Sequence, residues 1–287
     1  MSQAERQFPR QTQARPGHQR QMDPAPRAEM EGYLGSGKLD GLRALVTGGD
    51  SGIGRAVSVA FAKEGADVAI AYLSEHDDAR RTVELVEAES RTAVAIPGDL
   101  SQPEACAAAV QRTVDDLGGL DVLVNNIAYQ APVDAPEEIT AEQWERTFRT
   151  NVHSYFWTTQ AALPHLGKGA SIINSSSING LRGNRSLIDY SATKGAILAY
   201  TYSMAQALAD REIRVNAVAP GPVWTPLIPS TLSPESVEEF GADQPMGRAA
   251  QPDEIAPSYV FFASPQLSGG YYSGEVLAPV GGETMPG

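Results

Sequence analysis

Short apolar runs alternate with longer amphipathic segments over most of the chain after Leu42. The runs are rich in Val, Ile and Ala, and continuous apolar runs of this length are typical of strands buried on both faces. They predict seven strands, at residues 43–47, 67–72, 92–96, 120–125, 170–174, 214–219 and 275–278.

The segments between these runs place apolar residues at helical spacing. They predict helices at residues 53–64, 77–90, 103–117, 141–166, 189–210 and 252–263. Strands that alternate with helices in this way are typical of βαβ units on a parallel sheet. We therefore predict an α/β fold, with a single Rossmann-type doubly wound parallel sheet of about seven strands flanked by helices. Ligands of such sheets bind beyond the carboxyl ends of the strands.

Residues 1–39 do not share this pattern. They are rich in Gln and Pro, their charges nearly balance, and apolar residues occur without a period. A segment of this composition cannot bury enough apolar surface to fold alone. We expect an extended or disordered N-terminal extension, and the sequence leaves open whether it drapes over a neighbouring subunit.

Composition excludes several classes of function. The formal net charge is -13, from 22 Lys and Arg against 35 Asp and Glu, and no basic block is present, so a nucleic-acid partner is not expected. Cys106 is the single cysteine, which rules out an internal disulfide and favours a reducing compartment, the cytoplasm. No apolar run approaches the roughly 20 residues that cross a bilayer, so we expect no membrane partner.

A glycine-rich turn follows the first predicted strand. Residues 47–54 read T-G-G-D-S-G-I-G and lead into an amphipathic helix. Glycines here allow a tight turn and close approach of the backbone to a pyrophosphate at the helix N-terminus. An ordinary βα turn would also contain glycine, but the position between first strand and first helix favours a dinucleotide site. The expected binding residues are Gly48, Asp50, Ser51, Gly52, Ile53 and Gly54.

With this motif the chain resembles the short-chain dehydrogenase/reductase family, whose members carry T-G-x3-G-x-G at this place. Asp99-Leu100 follows the third strand, as in the family, and residues 125–128 read N-N-I-A where the family usually has N-N-A-G. Ile127 and Ala128 thus depart from the family pattern. The glycine motif and the polar leader resemble the bacterial general-stress or glucose-dehydrogenase-like oxidoreductases. The resemblance implies a dinucleotide-binding catalytic domain at residues 40–287.

The resemblance also implies an NAD or NADP cofactor. An acidic residue that holds the ribose 2′-hydroxyl of NAD usually ends the second strand, but Tyr72, Leu73 and Ser74 stand there. The basic residues typical of NADP-binding members are missing as well, so both cofactors remain open. Arg80 and Arg81 on the next helix suit a solvated face better than a phosphate site. Further implied cofactor residues are Tyr72, Leu73, Asp99, Leu100, Asn126, Ala128, Tyr190, Lys194, Pro220, Gly221, Val223 and Thr225.

The reaction centre is expected around Tyr190 and Lys194. Residues four apart share one face of a helix, so the phenol and the ammonium point the same way. A nearby ammonium favours the phenolate and lowers a tyrosine pKa from its usual value near 10. The resemblance implies that Asn151, Ser177, Tyr190 and Lys194 are catalytic. Ser177, rather than Ser176, has the family spacing to the tyrosine, and Asn151 would hold a water beside the lysine through its side chain or backbone.

The pocket should be closed by residues 222–245, a loop rich in Pro and Ser with a short acidic helix, which we interpret as a substrate lid. Tyr129, Leu187 and Trp224 indicate a partly apolar substrate, although each also suits simple packing. The four histidines lack metal-ligand spacing, so no metal is expected.

The predicted function is reversible hydride transfer between a nicotinamide cofactor and a small-molecule alcohol or carbonyl, such as an aldehyde, a ketone or a sugar. The resemblance implies a homotetramer. The alternative is a non-catalytic nucleotide-sensing or scaffold protein on the same fold, which loss of the tyrosine, lysine or serine would favour. A sugar epimerase or dehydratase of the related extended type would need a larger C-terminal part than the 62 residues after Thr225.

Overall fold

The computed structural model describes residues 7–283 of the 287-residue chain. Within this range a parallel sheet of seven strands lies at the centre, in the order β3-β2-β1-β4-β5-β6-β7. The strands are β1 (Arg43–Thr47), β2 (Asp67–Tyr72), β3 (Ala93–Pro97), β4 (Val122–Asn125), β5 (Ser171–Ser175), β6 (Arg214–Val218) and β7 (Val276–Leu277).

Helices cover both faces of the sheet. Between residues 7 and 283, no helix has the length and apolar character needed to cross a membrane. The α-helices are α1 (Gly52–Lys63), α2 (His76–Ala88), α3 (Pro103–Leu117), α4 (Ala141–Phe148), α5 (Ser154–Ala162), α6 (Ile178–Arg182), α7 (Ile188–Leu208), α8 (Pro234–Glu238) and α9 (Pro252–Ala263).

Two apolar cores lie on opposite faces of the sheet. Successive side chains of a strand point to opposite faces, and β1 shows this directly. Val46 packs in the core that holds Phe61 of α1 and Phe262 of α9. Leu45, its neighbour in sequence, packs in the core that holds Leu208 of α7. The continuous apolar sequence of β1 therefore follows from burial on both sides.

The strand order reverses between β1 and β4. The chain builds the sheet outward from β1 through β2 to β3, and then returns to place β4 on the other side of β1. At such a reversal the flanking connections diverge and leave a crevice beyond the carboxyl ends of the strands. The turn after β1 and the turn after β4 border this crevice.

The predicted fold class is confirmed, and β1, β2, α3 and α9 have the predicted bounds. The other strands differ by one or two residues at one or both ends. The single helix predicted at residues 141–166 is wrong: α4 and α5 are separated by a π-helical turn at Arg149–His153. A π turn takes up an extra residue and so changes the direction of side chains after it.

The leader, residues 7–39, lies along the surface of its own chain. It contains one short 3-10 turn at Gln19–Gln21 and is otherwise irregular. Phe8 stacks on Trp224 with ring centroids 3.8 Å apart, and Met22 and Leu39 are buried. Arg27 pairs with Asp253 of α9 at 3.0 Å. These anchors are too widely spaced along the sequence to produce a periodic apolar pattern.

Candidate active site

The glycine turn after β1 has the tight geometry that its sequence predicts. Gly48 and Gly52 have φ of 66° and 53°, in the left-handed region that favours glycine. A Cβ on Gly54 would lie 1.8 Å from the carbonyl oxygen of Gly48. Only glycine at position 54 therefore allows α1 to begin this close to the turn.

The ends of β1 and β4 are tied together by polar contacts. The hydroxyl of Thr47 accepts hydrogen bonds from the main-chain N–H groups of Asn126 (2.8 Å) and Ile127 (3.3 Å). The Asn126 amide donates to the Gly48 carbonyl at 3.4 Å and accepts from the Ser175 hydroxyl at 3.0 Å. Asn126 thus joins the ends of three strands and fixes the floor of the crevice.

A cavity of about 500 Å³ fills the crevice. It runs from the glycine turn to Tyr190 and Lys194, so the expected nucleotide end and the expected reaction centre share one space. Of the residues predicted from sequence to bind the cofactor, these line it: Gly48, Asp50, Ser51, Gly52, Ile53, Tyr72, Leu73, Asp99, Leu100, Asn126, Ala128, Tyr190, Lys194, Pro220 and Thr225.

Three residues predicted at the cofactor do not line the cavity: Gly54, Gly221 and Val223. Gly54 lies behind the turn, where it permits the close packing of α1. The main-chain N–H of Gly221 donates to Pro279 at 3.1 Å. Val223 is buried and forms an isolated parallel bridge with Ala250. These residues shape the loops around the cavity without facing it.

Tyr190 and Lys194 lie one turn apart near the start of α7, as predicted. The Lys194 Nζ atom is 5.4 Å from the centre of the Tyr190 ring. It donates a hydrogen bond to the Ser175 main-chain oxygen at 2.7 Å. The side chain is 1% exposed. The lysine is thus held between its own helix and the end of β5.

Burial acts on both ionisable groups of this pair. It raises the pKa of Tyr190 to about 12, although a hydrogen bond with Ser177 acts in the opposite direction. It lowers the pKa of Lys194 to about 7. The pKa of the phenol therefore moves opposite to the sequence expectation. The physical reason is desolvation, which disfavours the charged form of each group.

The structure separates the roles of two neighbouring serines. The Ser176 hydroxyl donates to the Lys194 main-chain oxygen at 2.8 Å and so packs α7 against β5. The Ser177 hydroxyl accepts the N–H of Asn179 at 3.1 Å, which caps α6, and it lies close enough to Tyr190 to act on the pKa of the phenol. Ser177 therefore adjoins the phenol, although it does not itself line the cavity.

Asn151 lies in the π turn and is fully buried. Its Oδ1 accepts from the Tyr129 N–H at 2.7 Å, and its Nδ2 donates to the Tyr129 oxygen at 2.9 Å. The same Nδ2 donates to the Thr193 hydroxyl at 3.0 Å. Both ends of the amide are thus used by the protein, between the segment after β4 and the residue before Lys194. A water beside the lysine would have to be held by the main chain of Asn151.

Sequence reasoning missed Asp189. It is fully buried directly before Tyr190, and its carboxylate accepts hydrogen bonds from Thr147 at 2.6 Å, from Gln143 at 3.1 Å and from the Tyr190 N–H at 2.8 Å. A carboxylate in the first turn is stabilised by the helix dipole. Asp189 therefore fixes the start of α7 and with it the direction of the phenol. The sequence signal that could have identified Asp189 is an acidic residue directly before the tyrosine at the start of a helix.

Sequence reasoning also missed two buried acids after β2, Glu75 and Asp78, which lie near the predicted cofactor residue Asp50. Glu75 lines the cavity and accepts hydrogen bonds from the Ser74 N–H (3.1 Å) and hydroxyl (2.9 Å). Burial raises the pKa of Asp50 to about 6, and the nearby carboxylates of Glu75 and Asp78 act in the same direction. This end of the cavity is therefore acidic.

The two arginines of α2 take no part in the cavity, in line with the solvated helix face expected for them. Arg80 pairs with Asp77 at 3.0 Å, and Arg81 pairs with Glu29 of the leader at 2.7 Å. Neither side chain is among those that line the cavity.

The predicted lid contributes Thr225, Leu227, Ser230 and Thr231 to the cavity. Trp224 is completely buried against Phe8, and its indole N–H donates to the Pro24 oxygen at 2.9 Å. Of the three residues read as signs of an apolar substrate, only Tyr129 reaches the cavity, and Trp224 and Leu187 serve packing.

Across the described range, no group of three or more His, Cys, Asp or Glu is placed to hold a metal ion.

A protein-family profile described as enoyl-(acyl carrier protein) reductase matches residues 48–284. The match begins inside the glycine turn and continues past Lys194 and the lid. It therefore includes nearly all of the residues described above.

Two curated relatives extend the similarity to the leader. General stress protein 39 of Bacillus subtilis is 54% identical over 278 residues, 96% of this chain and 96% of that protein. Glucose and ribitol dehydrogenase of Daucus carota is 48% identical over 288 residues, 98% of each chain. Alignments of this extent include most of residues 1–39.

Among solved structures, a short-chain dehydrogenase from Burkholderia cenocepacia J2315 in complex with NADP superposes with a TM-score of 0.80. It is 33% identical and covers 85% of this chain and 98% of its own.

Proposed function

The chain belongs to the short-chain dehydrogenase/reductase family, and from this we propose that Ser177, Tyr190 and Lys194, supported by Asn151, catalyse its reaction. The chain is an NAD(P)-dependent oxidoreductase, which transfers a hydride reversibly between a nicotinamide cofactor and an alcohol or carbonyl. The observation that carries the site assignment is that Tyr190 and Lys194 line the same cavity as the glycine turn.

The glycine turn fits the pyrophosphate of such a cofactor. Ser51, Gly52 and Ile53 line the cavity at the N-terminus of α1. The positive end of the helix dipole favours a phosphate there. Gly48 lines the cavity without a side chain, which allows the close approach, and Gly54 lets α1 begin close behind the turn. We assign the pyrophosphate to this turn; when bound, the nicotinamide supplies or accepts the hydride.

Tyr190 is the proton donor in carbonyl reduction. A phenol with a pKa of about 12 is protonated at neutral pH, as an acid must be before it gives up its proton. We assign to the hydroxyl of Ser177, which adjoins the phenol, a hydrogen bond to the same substrate oxygen. It would stabilise negative charge that develops on that oxygen.

Lys194 and Asn151 have supporting roles. With a pKa of about 7, Lys194 can gain or lose a proton near neutral pH, and its charge 5.4 Å from the ring centre favours the phenolate during alcohol oxidation. Asn151 is a positioning residue, since its amide joins Tyr129 to Thr193, directly before the lysine.

The substrate is a small aldehyde, ketone, sugar or corresponding alcohol. The cavity is also lined by an aromatic ring, an aliphatic side chain and two hydroxyl groups, from Tyr129, Leu227, Ser230 and Thr231. Hydroxyl groups that line a pocket can bond to a polyol, and the ring and Leu227 can cover its carbon face.

A direct spectrophotometric assay tests this proposal. The purified chain is mixed with NAD or NADP and a panel of alcohols, sugars and polyols, and with the reduced cofactors and matching aldehydes and ketones. We expect turnover of at least one substrate pair, followed as absorbance of the reduced nicotinamide. Binding of both cofactors without turnover of any compound would favour the nucleotide-sensing or scaffold alternative.

The assembly and the compartment are parts of the same proposal. Several large apolar side chains are exposed on α5, α7 and the segment around β7: Phe156, Tyr202, Leu267, Tyr271, Tyr272 and Leu277. Apolar surface of this kind favours association, and we assign a homotetramer, to be tested by light scattering. A single buried cysteine and the absence of a basic block agree with a cytoplasmic enzyme without nucleic-acid or membrane partners.

A further inference from the structure

Part of the leader forms a wall of the active-site cavity. Arg15, Pro16 and Gly17 line the same space as the glycine turn and Tyr190. We call residues 15–19 the strap. The strap is anchored on both sides of the cavity, and each anchor involves a residue whose position is set by the catalytic domain.

The first anchor is at the reaction end. The Arg15 guanidinium donates to the Tyr129 hydroxyl at 2.8 Å and lies 5.0 Å from the ring centre. Arg146 of α4 lies 4.4 Å from the same ring centre. Tyr129 is held from behind by Asn151, through bonds to its main chain. The strap therefore begins on a residue that the active site already fixes.

The second anchor is at the nucleotide end. Gln19 is 4% exposed, and its side-chain oxygen accepts the main-chain N–H of Gly52 at 2.7 Å. Its own N–H donates to the buried carboxylate of Asp78 at 2.8 Å. Asp78 also accepts from Arg55 of α1 at 3.4 Å. A leader residue is thus built into the first turn of the helix assigned to the pyrophosphate.

Between the anchors the strap lies directly on the lid. Gly17 has φ of 89°, and a Cβ at this position would lie 2.7 Å from the Pro226 main-chain oxygen. Gln13, just before the strap, donates its N–H to the Pro229 oxygen at 2.9 Å. The strap and the lid therefore form one continuous cover.

We propose that the strap is part of the dinucleotide site and holds the bound cofactor across its pyrophosphate. A ligand that reaches from the glycine turn to Tyr190 has to lie between the strap and the sheet, because the strap joins Tyr129 to Gly52. Release then requires that the strap leave at least one anchor. This assignment rests on the proposed function, and it gives the leader a role in cofactor exchange.

Cofactor release from the full-length protein tests the proposal. The variants are Gln19→Ala and Arg15→Ala, one for each anchor. The matched control is Arg27→Ala, which removes the leader's ion pair with Asp253 on α9, away from the cavity. NADH and NADPH are each displaced by excess oxidised cofactor in a stopped-flow instrument, and nicotinamide fluorescence gives the rate. Thermal melting shows that each variant is folded.

We expect Gln19→Ala to release the reduced cofactor on the order of tenfold faster, the effect of losing one buried hydrogen bond. Arg15→Ala should act in the same direction, and Arg27→Ala should match the wild type. Unchanged or slower release from both strap variants would overturn the proposal. Equal acceleration by Arg27→Ala would also overturn it, because loosening the leader anywhere would then speed cofactor release, without a specific role for the strap. Failure of the wild type to bind either cofactor would instead contradict the proposed function.

Discussion

Lys194 donates a hydrogen bond from its ammonium group to the main-chain oxygen of Ser175 at 2.7 Å, which ties the start of α7 to the end of β5. The hydroxyl of Ser175 bonds to Tyr259 at 2.6 Å, so the strand end is itself fixed. Burial is the cause that lowers the pKa of this lysine, with no carboxylate acting against it. The site therefore positions its lysine through main-chain and hydroxyl groups.

The low pKa of Lys194 makes stability depend on pH. Between about pH 7 and its ordinary value near 10.4, the unfolded chain binds a proton that the folded chain has released. The free energy of unfolding therefore rises with pH in this window. We expect the wild type to gain about 2 kcal/mol more than Lys194→Met between pH 7 and 9, at about 1.4 kcal/mol for each pH unit.

Urea unfolding of both proteins at pH 7 and 9 measures this difference. Tyr190, with a pKa of about 12, does not titrate in this window. Other titrating groups are shared by the two proteins and cancel in the comparison. The same pH dependence in both proteins would show that Lys194 keeps an ordinary pKa.

The neighbouring serines should give different phenotypes. Ser177→Ala removes the hydroxyl beside the phenol, and we expect kcat to fall about 10²- to 10³-fold, as for loss of one donor to a developing oxyanion. Ser176→Ala removes a bond to the Lys194 main chain and should cost about 1 kcal/mol of stability with kcat changed only a few-fold. Steady-state kinetics and thermal melting separate the two. A larger loss of kcat in Ser176→Ala would reverse the assignment.

Two glycines on helices should respond in opposite ways to alanine. At Gly54 the new Cβ would meet the Gly48 oxygen at 1.8 Å, so we expect a loss of stability above about 3 kcal/mol, or no folded protein. At Gly195 in α7 the nearest contact is at 3.5 Å, and alanine should stabilise by about 0.5–1 kcal/mol because it favours the helix. Melting temperatures check both. A stable Gly54→Ala protein would contradict the described packing of α1 on the turn.

The acidic end of the cavity should influence cofactor choice. Glu75 lies just after β2, where the adenosine ribose binds in dinucleotide folds, and its carboxylate would repel a 2′-phosphate. We expect Glu75→Gln to raise kcat/KM for NADP relative to NAD by several-fold, the effect of removing one like charge. Kinetics with each cofactor and one substrate give the ratio. An unchanged ratio would place Glu75 away from the 2′ position.

The sequence predicts the sheet well because its strands are buried on both faces. β1 and β2 are apolar almost throughout, so their bounds can be read directly. The Tyr190 and Lys194 pair was predictable from local spacing, since residues four apart on a helix bring their side chains together.

The π turn around Asn151 was not predictable from local pattern. It is supported by hydrogen bonds from Asn151 to Tyr129 and Thr193, which are distant in sequence. Trp224 was expected at the substrate, but contacts with residues distant in sequence bury it elsewhere. Its ring is covered by Phe8 of the leader, and no periodicity links two such residues.

The position of the strap could not be predicted from composition either. A Gln-rich segment is expected to remain solvated, yet Gln19 is buried because Gly52 and Asp78 satisfy its polar groups. Those partners come from the turn after β1 and from α2. Burial of a polar side chain by specific distant partners leaves no mark in local sequence.

The most direct test of the account is the turnover of Tyr190→Phe beside that of Tyr202→Phe. Tyr202 lies on the same helix and is 42% exposed, so it controls for the loss of a phenolic hydroxyl as such. We predict that Tyr190→Phe binds the cofactor like the wild type but loses kcat by about 10³-fold, since its proton donor is gone, while Tyr202→Phe keeps full activity. Turnover by Tyr190→Phe at the wild-type rate would contradict the assignment of Tyr190 as the proton donor.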